Sequence, residues 1–170
     1  MKVILVSLLL LVFPRMGILP DPLNGNLAKK CEAVAAKEDK MTIASDRTGR
    51  VKTSLHRLYN SGDTLLFPLE IQNRSSLSFE VDFIRFYLRD RKSAKRTVTQ
   101  ELEILPLYTH GLEKQVIPAF GRQHMVFALG KLIPAADKIM AIEVYEKNGG
   151  RHLYLQVRQG AMEHSLPLGF

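Results

Sequence analysis

Alternation of apolar and polar side chains dominates the chain after residue 50. Over residues 64–73 the apolar side chains recur at every second position, with Glu70 and Gln72 among the polar residues between them. A period of two is typical of a strand with one buried face, so we predict a strand over 64–73. Pro68 lies within it and has no N–H to donate, which favours an edge strand or a bulge.

A second segment, residues 80–90, has the same period but changes phase midway. Its first apolar residues are Val81 and Phe83, and after a shift of one residue the alternation continues from Ile84. A shift of this kind predicts a β-bulge, which bends a strand as sandwiches and barrels require.

Two further strands are predicted over 102–108 and 123–129, and the clearest hairpin spans 138–158. In the hairpin, alternating apolar residues flank Asn148 and Gly149, a pair that supplies the positive φ angles of a type I′ turn. About seven short strands separated by turn residues indicate an antiparallel sandwich or barrel. The fold class that we predict is all-β, an immunoglobulin-like antiparallel β-sandwich. Its predicted core holds Phe67, Leu69, Ile71, Phe83, Phe86, Phe127, Ile142, Val144, Leu153 and Leu155.

The beginning of the chain has a different pattern. A short basic start and an apolar stretch over residues 3–13 have the layout of a secretory signal, with a buried strand as the alternative. No apolar run reaches the roughly 20 residues that a membrane-spanning helix needs, so we predict no membrane span. A linker rich in Pro, Gly, Asn and Asp follows over residues 14–25.

A short helix is predicted over residues 27–38, with Asn26 as its N-cap. Its apolar residues fall on one face, and they are Leu27, Cys31, Val34 and Ala35. The chain thus divides into an apolar leader and linker at 1–25, a short helix and connector at 26–50, and a β-sandwich domain at 51–170.

Residues that enzymes use for chemistry do not form a recognisable arrangement in this sequence. Glycine-rich phosphate loops and nucleophile-elbow motifs are absent, and the five histidines do not have metal-ligand spacing. Glu101 and Glu103 have the spacing of paired carboxylates, but solvated strand residues share it far more often. Cys31 follows two lysines, so it is either a thiol of lowered pKa or a packing residue, and its apolar neighbours favour packing. We therefore predict no catalytic, cofactor-binding or metal-binding residues, and a protein that is not an enzyme.

Positive charge is concentrated in one stretch. The chain has 24 Lys and Arg against 17 Asp and Glu, a net charge of +7, and residues 85–96 contribute most of that excess. The cluster, which we call the basic segment, consists of Arg85, Arg89, Arg91, Lys92, Lys95 and Arg96. It suits an acidic protein partner, a phosphate, nucleic-acid or anionic lipid surface, or a solvated hairpin tip. We take it as the candidate interaction surface, with protein contacts as the first reading and nucleic-acid binding as the alternative.

Three stretches of sequence are specific enough for comparison with a known family. They are Phe83-Ile84-Arg85-Phe86-Tyr87-Leu88-Arg89-Asp90 with its continuation to Tyr108, the upstream triplet Asn73-Arg74-Ser75, and Glu146-Lys147-Asn148-Gly149-Gly150-Arg151 downstream. The triplet also fits a glycosylation sequon, a short motif that is common by chance. With these stretches, the chain between about residues 55 and 157 resembles the TraN family of conjugative transposons.

The resemblance implies a structural component of the conjugative mating pore, similar to the β-rich subunit of the outer-membrane core of type IV secretion systems. In that subunit the C-terminal β-sandwich packs against a small lipoprotein and against further copies of itself. Other conjugative transfer proteins, a small lipoprotein and copies of this chain are therefore the expected partners. TraN-family members carry a signal sequence and an N-terminal β-domain before the matching region. A leader that acts as a signal would place the protein in the periplasm or at the outer membrane.

Overall fold

The computed structural model describes residues 22–37, 41–91 and 101–169. The predicted leader, and Lys92, Lys95 and Arg96 of the basic segment, lie outside these residues. The described elements are, in chain order, α1 (Pro22–Ala35), β1 (Thr42–Thr48), β2 (Val51–His56), β3 (Tyr59–Ser61), β4 (Thr64–Asn73), β5 (Phe79–Asp90), β6 (Leu102–Glu103), β7 (Tyr108–His110), β8 (Val116–Ile117), β9 (Arg122–Gly130), β10 (Lys138–Glu146), β11 (Leu153–Val157), α2 (Gln159–Glu163) and β12 (Leu166–Pro167).

The strands form two sheets, as the all-β prediction requires. In the first sheet the order β1-β2-β4-β9-β7 is antiparallel, and β3 pairs with the start of β4. The short β12 runs parallel to β3. In the second sheet the order is β11-β10-β5-β6, all antiparallel, and β8 pairs with the start of β5. A mostly β protein with antiparallel pairing is therefore confirmed.

Strand β4 lies in the middle of the first sheet, so the expectation that Pro68 marks an edge strand or a bulge is wrong. On one side β4 pairs with β9 along its whole length. On the other side Leu55 of β2 pairs with Leu69, and Tyr59 of β3 pairs with Leu66. Pro68 lies opposite the break between β2 and β3. A residue without an N–H is tolerated there because the ladder is already interrupted.

The phase shift in β5 is a bulge, as predicted. Val81 pairs with Glu146 and Phe83 pairs with Tyr145, so Asp82 is an extra residue in β5. The bulge turns Phe83 to the outer face of the second sheet, where it is 43% exposed. Its predicted place in the core was therefore wrong, because the alternation reverses before this residue rather than after it.

Both sheets contribute to one hydrophobic core. The ring of Phe86 in β5 lies edge-on to Phe67 of β4, with 5.9 Å between ring centres, and 5.0 Å from Phe127 of β9. Apart from Phe83, every residue of the predicted core is buried. Aromatic contacts of this geometry join the two sheets through their inner faces.

The segment predicted as a connector contains β1. Its residues are mostly polar and partly exposed, so the strand lacks the alternation that marks β4 and β5. After the turn at Gly49, β1 pairs with β2, and its side chains also reach the second sheet. The N–H of Tyr154 donates to Asp46 Oδ2 at 2.7 Å, and Thr48 Oγ1 donates to the carbonyl of His152 at 2.6 Å. Strand β1 thus joins the edges of the two sheets.

Helix α1 covers part of the outer face of the first sheet. Three of its residues, Leu27, Cys31 and Val34, pack in one cluster with Val126 and Ala128 of β9. Because the core lies on the other side of β9, the strand is covered on both faces. This explains why buried residues follow one another without alternation along its second half.

The boundaries of α1 differ from the prediction by a few residues. The helix runs from Pro22 to Ala35, so it begins before Asn26, which was the predicted N-cap. Burial raises the pKa of the Cys31 thiol to about 11. Cys31 is also fully buried in the cluster beneath α1, so packing is the correct interpretation of this cysteine.

Strands β10 and β11 form the predicted hairpin, but the predicted type I′ turn is wrong. Val144 pairs with Leu153, which leaves residues 145–152 to connect the paired positions. Asn148 has a positive φ of 53°, whereas Gly149 does not lie in the left-handed region. A type I′ turn requires positive φ at both central residues, so this connection is a longer loop.

Candidate interaction surface

The candidate surface lies on the outer face of the second sheet. After its bulge, β5 directs every second side chain to this face, and β10 and β11 supply neighbours in register. We call it the arginine–aromatic face, and it consists of Phe83, Arg85, Tyr87, Arg89, Glu143, Tyr145, His152 and Tyr154.

A buried carboxylate, Glu143, lies at the centre of this face. Glu143 is only 7% exposed, yet both oxygens of its carboxylate have charged or polar partners. The hydroxyl of Tyr87 donates to Oε1 at 2.7 Å, and Arg85 donates to Oε2 through Nη2 at 2.7 Å and Nε at 3.1 Å. Burial alone would raise the pKa of Glu143, but the hydrogen bonds from Tyr87 and Arg85 outweigh it and hold the pKa below its ordinary value.

The partners of Glu143 are fixed in turn. The guanidinium of Arg85 lies 4.4 Å from the ring centre of Tyr87 and 3.5 Å from the carboxylate of Glu101. Burial, with the bond to Glu143, raises the pKa of Tyr87. Arg85 is therefore paired within the fold and does not act as a free charge of the basic segment. Glu101 serves this pairing, whereas Glu103 of the candidate carboxylate pair is exposed in β6.

Three rings stack across the strands beside this network. The ring centres of Phe83 and Tyr145 are 4.4 Å apart, and those of Tyr145 and His152 are 4.1 Å apart. Further along β5, the guanidinium of Arg89 lies 5.1 Å from the ring centre of Tyr154. The face therefore presents flat, fixed rings and a guanidinium in place of flexible side chains.

The structure distributes the described part of the basic segment between two environments. Arg85 and Arg89 belong to the arginine–aromatic face, whereas Arg91 follows the end of β5 and is exposed. The one acidic residue of the segment, Asp90, pairs with Lys138 at 2.9 Å. Lys92, Lys95 and Arg96 are outside the described residues.

Sequence reasoning found the arginines of this face but missed Tyr87, Glu143 and the three stacked rings. The signal was present in β5 for Tyr87, since the alternation that starts at Ile84 places Arg85 and Tyr87 on one side, whereas Phe83 was predicted on the opposite, buried side. It was not present for Glu143, whose position beside Arg85 follows only from the register of β10 against β5.

A second polar cluster unites two of the stretches that carried the family resemblance. Asn73 is fully buried, and its Nδ2 donates to the carbonyls of Leu77 at 2.8 Å and Pro118 at 3.0 Å. Ser75 Oγ donates to Asn73 Oδ1 at 2.6 Å. Arg151 donates to Ser75 Oγ at 3.1 Å. The sequon asparagine therefore has a structural role, because its amide is enclosed and already engaged.

Comparison with known families gives a match over most of the chain. The profile described as "Domain of unknown function (DUF4138)" matches residues 26–167, which is most of the chain. No curated protein matches the sequence.

Among the described residues, no helix is long and apolar enough to cross a membrane. In the same residues, no group of three or more His, Cys, Asp or Glu side chains is arranged to hold a metal ion.

Proposed function

The chain belongs to the DUF4138 family, and we propose that it is a structural component of a conjugative transfer apparatus related to type IV secretion. It acts through protein–protein contacts in the periplasm or at the outer membrane. Its partners are other transfer proteins, a small lipoprotein and further copies of itself. In this proposal the two sheets form an immunoglobulin-like β-sandwich. The resemblance of residues 73–75, 83–108 and 146–151 to the TraN family supports the assignment.

The arginine–aromatic face is the observation that carries the proposal. Tyrosine and arginine are enriched where protein interfaces bury their most important contacts. Here Phe83 is exposed, while Tyr87 and Glu143 hold Arg85 in place two residues further along β5. Side chains that are already fixed lose little conformational entropy when a partner binds, which favours affinity.

The test is a charge introduced at the exposed ring of this face. Phe83→Glu leaves the core intact because the side chain points outward, but it disrupts the stack with Tyr145 and adds a charge that a protein partner must desolvate. We expect at least a tenfold loss of conjugative transfer from a donor strain, with reduced co-purification of other transfer proteins. The matched control is Ile133→Glu, because Ile133 is exposed in the loop after β9. Parental transfer by the Phe83→Glu variant would refute the assignment.

The alternative is a nucleic-acid-binding accessory module that uses the basic segment around residues 89–96. It predicts binding of single-stranded DNA that weakens steeply with salt and is lost in Arg89→Gln/Arg91→Gln. Within the described residues, the pairing of Arg85 with Glu143 leaves less free positive charge in the basic segment for phosphates. Protein contacts are therefore the function that this geometry supports best.

A further inference from the structure

We propose that one end of the first sheet docks onto an anionic lipid surface. This end, the cationic tip, comprises the cations Arg47, Arg50, Lys52, Arg74 and Arg122 and the apolar side chains of Leu77 and Phe120. The proposal is independent of the arginine–aromatic face, which lies on the other sheet. It adds a membrane contact that the proposed assembly function does not include.

The register of the first sheet aligns the cations. Arg47 of β1 pairs with Lys52 of β2, Lys52 with Gln72 of β4, and Gln72 with Arg122 of β9. Directly paired residues of antiparallel strands point to the same face, so these four form one row across the sheet, about 14 Å long at the usual strand spacing. Arg74 joins the row because its Nε donates to Gln72 Oε1 at 3.0 Å.

The cations of the tip are not neutralised within the described part of the chain. None of the five has a carboxylate within ion-pair distance among the described residues. Two acidic residues close to the row have partners of their own: Glu70, in the next row, lies 3.2 Å from His124, and Asp46, which precedes Arg47 in the chain, accepts the N–H of Tyr154 at 2.7 Å. The tip therefore carries a net positive field toward solvent.

Two large apolar side chains project at the same end. Phe120 is 73% exposed and Leu77 is 70% exposed, although both sit in short loops close to the buried core. Phe120 also has a positive φ of 58°, a conformation that bulky residues rarely adopt. A strained backbone that holds an aromatic ring in solvent is an arrangement that folding alone does not favour.

Backbone hydrogen bonds tie the three loops of the tip together. The N–H of Arg74 donates to the carbonyl of Arg50 at 2.8 Å, and the N–H of Phe120 donates to the carbonyl of Ser75 at 3.2 Å. The buried amide of Asn73 donates to the carbonyl of Leu77. The loops that carry Arg50, Arg74, Leu77 and Phe120 are thus fixed relative to one another at this end of the sheet.

This combination fits a bilayer surface better than other anionic partners. Basic side chains are attracted by anionic headgroups, and adjacent apolar side chains enter the boundary between headgroups and acyl chains. Single-stranded nucleic acid is bound by aromatic rings set among the cations. In the row Arg47–Lys52–Gln72–Arg122 no aromatic residue intervenes, and Phe120 lies in the loop before Arg122.

The chain has no tryptophan, so Phe120→Trp gives a reporter at a single position. We would add the full-length variant to vesicles of phosphatidylcholine with phosphatidylglycerol, and to vesicles of phosphatidylcholine alone. A blue shift of tryptophan emission and protection from acrylamide are expected with the anionic vesicles only. Ile133→Trp, beyond the opposite end of β9, is the control and should stay unshifted. Binding through the apolar leader would likewise leave the reporter at position 120 unchanged.

The cations are tested in the same assay. Adding Arg47→Gln and Arg122→Gln to the reporter variant should weaken vesicle binding about fivefold per charge removed. The matched control is Lys131→Gln with Arg158→Gln, which removes two exposed cations outside the tip and should have no effect. The proposal would be overturned if the tryptophan emission did not shift with anionic vesicles, or if it shifted with neutral vesicles. It would also be overturned if the cation variants bound the anionic vesicles as tightly as the reporter variant does. Binding of single-stranded DNA at the tip without a vesicle response would also overturn it and assign the tip to nucleic acid.

Discussion

Glu143 shows how a single buried charge organises the arginine–aromatic face. Its carboxylate accepts hydrogen bonds from Tyr87 and Arg85, and these bonds outweigh the cost of taking the charge out of water. Arg85 in turn is held flat against the ring of Tyr87. The exposed part of the face thus depends on a residue that is itself almost inaccessible.

The pKa of Glu143 makes this network sensitive to acid. Because folding lowers the pKa, the stabilisation is complete above the unfolded value of about 4.5 and is lost as the pH falls through the lower folded value. Glu143→Gln should therefore lower the free energy of unfolding at pH 7 by about 2–3 kcal/mol, as expected for lost bonds to a charged group. Urea titrations from pH 7 downward should show the difference from the parent shrinking at acid pH. A difference that does not depend on pH would contradict the assigned charge.

Gly149 is constrained by a neighbouring side chain, whereas the sequence indicated a constraint from its backbone conformation. It has no positive φ, but a Cβ at this position would overlap the carboxyl group of Glu146. That carboxyl is held by Arg151, and the hydrogen bond from Arg151 lowers the pKa of Glu146. Gly149→Ala should cost about 1–2 kcal/mol by displacing this pair, measured by thermal unfolding. Gly150→Ala is the control, since a Cβ there has no atom within 4 Å, and an equal loss in both variants would contradict this account.

At the scale of elements, periodicity predicted β4, β5, β9 and the β10–β11 hairpin. The single strand predicted over 102–108 is wrong, because residues 102–103 form β6 in the second sheet and residues 108–110 form β7 in the first. The bounds of β4 agree with the prediction, and β5 differs by one residue. Strand β1 was missed because its stability comes from pairing with β2 and from side-chain bonds to β11, which leave no apolar alternation. The position of Pro68 was misread because the break between two neighbouring strands is a property of the sheet and not of the strand.

The buried cysteine of helix α1 offers a direct test of how this helix packs on the first sheet. Cys31 is fully buried against the first sheet, and burial raises the pKa of its thiol to about 11. At pH 8 the native protein should react with a thiol reagent at least a hundredfold more slowly than the protein in denaturant, because both access and thiolate are lacking. The rate is followed by absorbance. Rapid reaction under native conditions would mean that α1 does not pack as described.

At the scale of the whole molecule, the two sheets present different outer faces. The first is covered by α1 at one end and carries the cationic tip at the other, whereas the second carries the arginine–aromatic face. Sequence reasoning detected the basic segment because its charges are contiguous. It missed the tip because Arg47, Lys52 and Arg122 come from three strands and meet only through the register. Strand pairing thus decides which face of the molecule can bind a partner or a membrane.

Two phenylalanines on opposite faces of β5 test whether the sheets unfold as one unit. Phe86 is buried between the sheets against Phe67 and Phe127, while Phe83 lies on the outer face. Phe86→Ala should lower the free energy of unfolding by about 3–5 kcal/mol, because it leaves a cavity shared by both sheets. Phe83→Ala removes the same atoms from a half-exposed site and should cost less than about 1.5 kcal/mol, the range of an aromatic pair. Circular dichroism and tyrosine fluorescence should give coincident transitions in both variants, since a common core couples the sheets. Equal losses in the two variants, or separate transitions, would show that the core does not bridge the sheets.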